Sequence, residues 1–503
     1  MEIIRNNIID LARGQWINVL IPLALFIVLA LVCWECTIDD AFISFRVARN
    51  FAEGEGLIYN PGERVEAHSN PLWIAILSVC SFSGLNIVTA SKFIGVICGA
   101  ITILVVLLFC KKTIRMSNSA TLVTLCYMAT NISFVYYSIS GMETVLYMAY
   151  LAIMIYLLAE KRAIMAGIVC SALVLTRPEG ILFIIPLALG CHLNQCRLKK
   201  IMAVIMIPIL AYLLLMSFRL VYYNAIFPNS YNAKIGEVSL TIGSLVSRSR
   251  DFYLYTWRSS TVHRPVLFLA FFGAVLSINR KTVTAIASIG VTAFFVWFSR
   301  GDWMAFWRFY TPVLPFLVIF WGFAFEFLRP LLSHSLRGKV ALAVLLLPLL
   351  FNLYDTIKVV KAPENRYELN PAMHSKRHVE VGRYLADIGS PSDVLVVNEI
   401  GAIGYYSRMV VIDMLGLTDR EIPSLLGSGD LDAYASYIMS RDPTFIMLNN
   451  RQAPEDTELH PVHAAIHDKM METGLYRLER KFRLNRFKNL MLFIKDMDND
   501  PQG

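Results

Sequence analysis

Residues 37–73 read TIDDAFISFRVARNFAEGEGLIYNPGERVEAHSNPLW and follow directly on an apolar run, Trp16–Cys36, long enough to cross a bilayer. An aspartate pair, Asp39-Asp40, therefore sits where the chain leaves the membrane. From Ala41 to Glu53 the pattern is that of an amphipathic helix. Phe42, Ile43, Phe45, Val47, Ala48 and Phe51 supply a broad apolar face, while Arg46, Arg49, Asn50 and Glu53 recur at helical spacing. Beside a span, such a helix is expected to lie in the interface, apolar face down. Gly54, Gly56 and Asn60-Pro61-Gly62 turn the loop back. Asn70-Pro71 then starts the next helix, with Asn70 as N-cap and Pro71 at the first helical position.

Working outward, the composition sets the class. Of 503 residues, 56% are hydrophobic and 17% charged, against roughly 25% charged in soluble domains. This predicts a polytopic α-helical membrane protein. The first apolar run is too long for a cleaved signal peptide and lacks a small-residue cleavage site. The net charge of +8 does not point to nucleic acid, because much of the Lys and Arg lies in short loops between apolar runs, where it sets orientation. None of the nine cysteines lies after Cys196. Cys33-x-x-Cys36 has no partner Cys or His cluster that would make it a metal or redox pair.

Apolar runs fall at 16–36, 93–110, 118–138, 143–159, 163–176, 180–192, 201–222, 264–279, 282–299, 309–328 and 339–358. They predict about 11 transmembrane helices, with Pro71–Phe82 too short to span and read as interfacial or re-entrant. With the N-terminus in the cytoplasm, Lys111-Lys112-Arg115, Lys161-Arg162, Arg197-Lys199-Lys200, Arg280-Lys281 and Arg329-Arg337-Lys339 all fall inside. The expected localisation is thus a multi-pass bacterial inner (plasma) membrane protein. From about residue 361 charge becomes frequent and the apolar runs shrink to strand length: 393–397, 409–412 and 444–448, with helix between, as at His378–Ile388. The expected organisation is a membrane domain, 1–360, whose outer loop 37–70 carries the Asp pair, and a soluble α/β domain, 361–503, on the outer face.

This topology gathers polar residues on one side. Asp39, Asp40, Glu143, Arg177, Glu179, Lys234, Asp302 and Arg308 all lie in outer loops or at outer helix ends, and the span centres are almost uncharged. That argues against ion-coupled transport and for chemistry at the outer surface. A carboxylate at a helix N-terminus is kept ionised by the dipole and suits a general base; the plainer reading is a helix cap. Arg177 and Arg308 can pair with Glu179 and Asp302 as interfacial salt bridges. Alternatively, together with Lys234, they hold a lipid-linked phosphate at headgroup depth. Glu66, His68, Asn70, Glu143, Glu179 and Asp302 are candidate substrate contacts, and His68 is equally readable as a hydrogen-bonding loop residue. Outer-end aromatics (Trp73, Trp257, Trp303, Trp307, Tyr310) fit a membrane belt better than sugar platforms.

Asp-Asp directly after the first span, followed by an interfacial helix, resembles glycosyltransferases of the GT-C fold. The fuller pattern is similar to the terminal β-(1→2)-arabinofuranosyltransferase (AftB) family of mycobacteria and its bacterial relatives. Besides the 39–73 stretch it includes GMET (141–144), TRPEG (176–180), FPNSYNAK (227–234), GDWMAFWRFYTPVLP (301–315) and NEIGAIGYYSRMVVIDMLGLTD (398–419). The chain departs from the family at Ala67-His68-Ser69. The resemblance implies inverting transfer of a sugar, arabinofuranose in that family, from a polyprenyl-phosphate donor to a hydroxyl of a glycan or glycoprotein. A loop-1 Asp would be the base. Asp39 is the first choice, with Asp40 a supporting or metal-contacting carboxylate; no cofactor is required, and a divalent cation stays an open alternative that no dedicated ligand cluster demands. The rival readings are a lipid-linked oligosaccharide ligase or polymerase, and a non-enzymatic flippase or sensor.

Overall fold

The computed structural model describes residues 2–229, 242–258, 264–302, 304, 306–332, 336–360, 371–451, 459–484 and 488–496. By compactness the chain divides into two units that interleave in sequence. The first comprises Met1–Glu35, Thr89–Leu215 and Ser239–Lys361; the second comprises Cys36–Val88, Met216–Val238 and Ala362–Gly503.

The first unit is helical. Ile87–Ile114, Leu198–Tyr223 and Thr311–Pro330 are long and apolar enough to cross a membrane, and six shorter apolar helices accompany them in this unit among the described residues. A fourth crossing is possible if Asn118–Thr130 and Ile132–Ile139, bent by 52°, form one broken span. Of the about 11 spans expected, several of them from runs shorter than a straight span prefers, at least three are long and apolar enough to cross. The break in the 118–138 run has a local cause: Asn131 is extended, and its side-chain carbonyl accepts from Ser133 N (3.0 Å) and Phe134 N (3.3 Å). An asparagine that caps a new helix ends the old one. On Leu198–Tyr223, Leu210, Leu213 and Leu214 are more than half exposed, an apolar surface suited to hydrocarbon. The chain is a helical membrane protein.

The second unit is built on a five-stranded mixed sheet. Its strands are β1 (Val394–Val397), β2 (Val410–Asp413), β3 (Phe445–Arg451), β4 (Tyr476–Arg483) and β5 (Lys488–Lys495), in the order β2-β1-β3-β5-β4. β1 runs parallel to β2 and β3, and β5 lies antiparallel between β3 and β4. Val396, Ile412, Ile446 and Leu448 pack with Tyr434, Ile438, Ile466 and Met470 in one core. The three apolar runs of the sequence are β1, β2 and β3. β4, YRLERKFR, lies at the sheet edge and is largely exposed, so it carries little of the apolar signal of a strand.

The 37–73 stretch packs into this second unit. Its helix, Ala41–Ala52, ends one residue short of expectation, but it is not an interfacial helix with one wet face. Arg46 and Asn50 are buried along with the apolar side. The Arg46 guanidinium is satisfied by carbonyls: Nε donates to Tyr59 O (2.8 Å), Nη1 to Gly404 O (2.6 Å) and Nη2 to Met409 O (2.6 Å). Its charge is thus used to bind two loops to the helix. Pro71–Phe82 is helical as expected, yet the Asn70 side chain does not cap it. Asn70 instead exchanges hydrogen bonds with Ser44 (3.1 and 3.3 Å), joining the two helices.

Candidate functional site

In the second unit the sheet positions the Asp pair. Parallel strands of an α/β sheet present ligand-binding loops at their carboxyl ends, and the loop leaving β1 receives Asp39. The Asp39 Oδ1 lies 2.9 Å from Nδ1 of His378 and accepts the backbone N–H of Ala402 at 3.0 Å. His378 is fully buried, and the Asp39 side chain is 12% exposed. A Cβ on Gly401 would collide with the Asp39 backbone and carboxylate, and one on Gly404 with the Tyr59 hydroxyl. These glycines are what allow the close approach. Asp40 holds the N-cap position of Ala41–Ala52, without a side-chain cap bond. At the end of β2, the buried Asp413 accepts from the Leu415 and Leu417 N–H groups. Burial pushes its carboxyl up to about 7, with Asp419 and Asp40 adding to the rise.

Glu66 and His68 are drawn into a buried cluster. Glu66 accepts from Arg219 Nε on both oxygens (2.8 and 3.0 Å), and His68 Nε2 is 3.8 Å from Glu66 Oε1. Burial raises the Glu66 pKa against the opposing pull of Arg219. Burial, then Arg219, lowers that of His68 to about 3, so its ring is neutral.

In the first unit five expected residues meet in one ion network. Arg177 Nη1 donates to Glu143 Oε1 at 2.7 Å, and its Nε donates to Glu179. Arg308 lies 3.5 Å from both Glu143 and Asp302. Thr144, Tyr147, Arg177, Glu179, Arg308 and Phe309 share the lining of a small cavity. Three buried donors there, Tyr147 Oη, Thr144 Oγ1 and Arg308 Nε, have no acceptor among the described residues. The formal charge of the network is one negative in excess, so a bound anion has to be stabilised by those open donors rather than by net charge. Lys234 lies outside the described residues. Among the described residues, no group of three or more His, Cys, Asp or Glu side chains is arranged to hold a metal ion.

Sequence reasoning missed His378, Asp413, Arg219 and Tyr147. Arg219 carried a signal as the only charge in the apolar run 201–222, and Asp413 as the charged end of a strand. His378 and Tyr147 carried none.

Comparison with solved structures decides the architecture. The apo oligosaccharyltransferase of Archaeoglobus fulgidus is similar over 86% of this chain and 70% of its own, at TM-score 0.55 and 11% identity. ArnT from Cupriavidus metallidurans, bound to undecaprenyl phosphate, is similar over 93% of this chain and 97% of its own, at TM-score 0.54 and 11% identity. The fold is that of the GT-C glycosyltransferases. A further GT-C structure, the A. fulgidus enzyme tethered to an acceptor peptide with the NVT sequon, matches at TM-score 0.52 and 10% identity, over 87% of this chain and 69% of its own. Residues 365–492 match a domain of unknown function (DUF8728). No curated protein sequence matches the chain.

Proposed function

We propose that this GT-C protein is a membrane glycosyltransferase. It moves a sugar, arabinofuranose, from a polyprenyl-phosphate donor to a hydroxyl of a cell-envelope glycan or glycoprotein on the outer face. The observation that carries the reading is the clamped Asp39 carboxylate. Two donors on one oxygen, His378 and the Ala402 N–H, fix its plane as a base must be fixed. The acceptor hydroxyl attacks the anomeric carbon and gives its proton to Asp39. The lipid phosphate departs with the bonding pair, and the anomeric configuration inverts. Asp40 supports the base electrostatically, and no cofactor is needed.

The donor phosphate is assigned to the cavity lined by Arg177, Arg308, Tyr147 and Thr144; Lys234, outside the described residues, stays a candidate from the sequence alone. The open donors there favour phosphate oxygens over a purely structural salt-bridge network. Glu66, His68 and Asn70 shape the acceptor loop by holding it to Arg219 and Ser44. In this reading the chain spans the membrane eleven times, with its N-terminus in the cytoplasm and residues 361–503 outside. Purified protein incubated with a panel of polyprenyl-phosphate sugars and a glycan acceptor, followed by mass spectrometry, tests the proposal. Loss of sugar from one donor with gain of mass on the acceptor is expected. Intact donors throughout the panel would sink it.

A further inference from the structure

The second unit holds a cleft of about 350 Å³ that the transfer reaction does not use, lined by Glu63, Arg64, Thr418, Asp419, Arg420, Glu421, Tyr437 and Arg441 with Val65. Its size falls at the lower end of ligand pockets, roughly 300–1,000 Å³. Three carboxylates face three guanidiniums, so the cleft attracts neither anions nor cations as a class. Its polar groups are held in place before any ligand arrives. Asp419 accepts from Glu421 N (2.8 Å) and the Tyr437 hydroxyl (2.9 Å), and Glu63 accepts from Asn60 Nδ2 (2.9 Å). Arg441 bridges Glu63 and Asp419. The second, independent observation is Thr418. It is 2% exposed, lines the cleft, and its hydroxyl makes no hydrogen bond among the described residues. A buried hydroxyl left so is unfavourable unless something binds it.

From this cleft we infer a second, non-catalytic binding site for a neutral oligosaccharide. A polyhydroxyl ligand both donates and accepts at every position. It therefore matches interleaved carboxylates and guanidiniums without needing net charge, and one of its hydroxyls satisfies Thr418. A peptide suits the cleft less, because among the described residues Val65 is its one aliphatic side chain and none of its lining belongs to a strand. The site lies within the second unit, and its occupancy does not depend on the transfer chemistry of Asp39.

The test uses the full chain in detergent, without donor, and measures binding of short arabinan and galactan oligosaccharides by saturation-transfer NMR and calorimetry. Wild type and Asp39→Asn are expected to bind one of these alike. Thr418→Val, nearly isosteric, is expected to weaken binding about tenfold, and Arg64→Ala, at the exposed rim, severalfold, with thermal unfolding unchanged in both. Oligosaccharide binding unaltered by both cleft variants would overturn the inference. So would absence of binding, displacement by inorganic phosphate, or preference for an unglycosylated peptide. Loss of transfer in Asp39→Asn with retained binding separates this site from the catalytic reading. Binding with no transfer activity in wild type would leave the cleft assigned and remove only the transferase.

Discussion

Asp39 and His378 are 339 positions apart and meet at 2.9 Å, carboxylate oxygen to ring nitrogen. In the proposed reaction, a carboxylate held this way loses its function as base when its charge is removed and loses its aim when its partner is. Asp39→Asn is expected to lower turnover about 10²-fold or more while expression persists. His378→Ala, a positioning change, is expected to cost about tenfold in kcat with little effect on the acceptor KM. Steady-state kinetics with a lipid-phosphate sugar checks both. Near-normal turnover in Asp39→Asn with collapse in Asp40→Asn would move the base to Asp40.

Gly401 is a steric test of the same contact. Gly401→Ala places a methyl against Asp39 and is expected to destabilise by about 1–3 kcal/mol, an overpacking cost. It should also reduce turnover more than Gly427→Ala, where the added atom meets open space. Thermal unfolding and turnover measured on both variants make the comparison.

Arg308 is expected to distinguish a phosphate ligand from a salt bridge. Arg308→Lys keeps the charge but loses the planar fork, so the donor KM should rise and turnover fall while the acceptor KM stays constant. The swap Asp302→Arg with Arg308→Asp should not rescue, because Glu143 also faces Arg308 at 3.5 Å. Rescue by the swap, with donor kinetics unchanged in Arg308→Lys, would falsify the phosphate role.

The pH dependence of stability has two opposed contributions. His68 falls from an ordinary value of 6.5 to about 3 on folding. Between those values the unfolded chain binds the extra proton, so stability rises with pH and is complete above about 6.5. Asp413 moves the other way, from 3.8 to about 7. In that window the folded chain holds the proton, and stability falls as pH rises. Unfolding temperatures from pH 4 to 8 should therefore show His68→Gln losing less stability than wild type on acidification. Asp413→Asn should lose less than wild type on alkalinisation. Parallel curves for wild type and His68→Gln would rule out a buried neutral His68.

Topology is open to direct labelling. Cysteines at Gly62 and Arg420, both exposed, are expected to react with an impermeant reagent in right-side-out vesicles. Reaction only after lysis would put the Asp pair on the cytoplasmic side.

Much of this architecture could be read from the chain, and the misses share a cause. The helix after Asp40 and strands β1 to β3 are local patterns, and they formed where the periodicity put them. The burial of Arg46 was not readable, because its acceptors Gly404 and Met409 lie more than 350 residues away; a polar stripe looks the same whether it meets water or distant carbonyls. The Asn131 break was hidden inside an apolar run because its effect depends on one capping geometry. Arg177, Arg308, Glu143, Glu179 and Asp302 were all named from the sequence. The pairs Arg177–Glu179 and Arg308–Asp302 were readable as salt bridges; that Glu143 joins them into one network became apparent only from the packing of different helix ends.

The interleaving of the second unit also sets a timetable for its assembly. Translation proceeds at about 5–20 residues per second, so roughly 20–70 s separate the emergence of Asp39 from that of His378. Throughout that interval Arg46, Asp39 and Asn60 have none of their partners from residues 378–411. The loop keeps only its local contacts, such as Arg46 to Tyr59 and Asn50 to Ile58, while the intervening helices insert. Ribosomes stalled before residue 378 should therefore hold chains whose loop is cut readily by added protease, and release past β2 should protect it. Birth order makes the first loop the last part of the chain to mature.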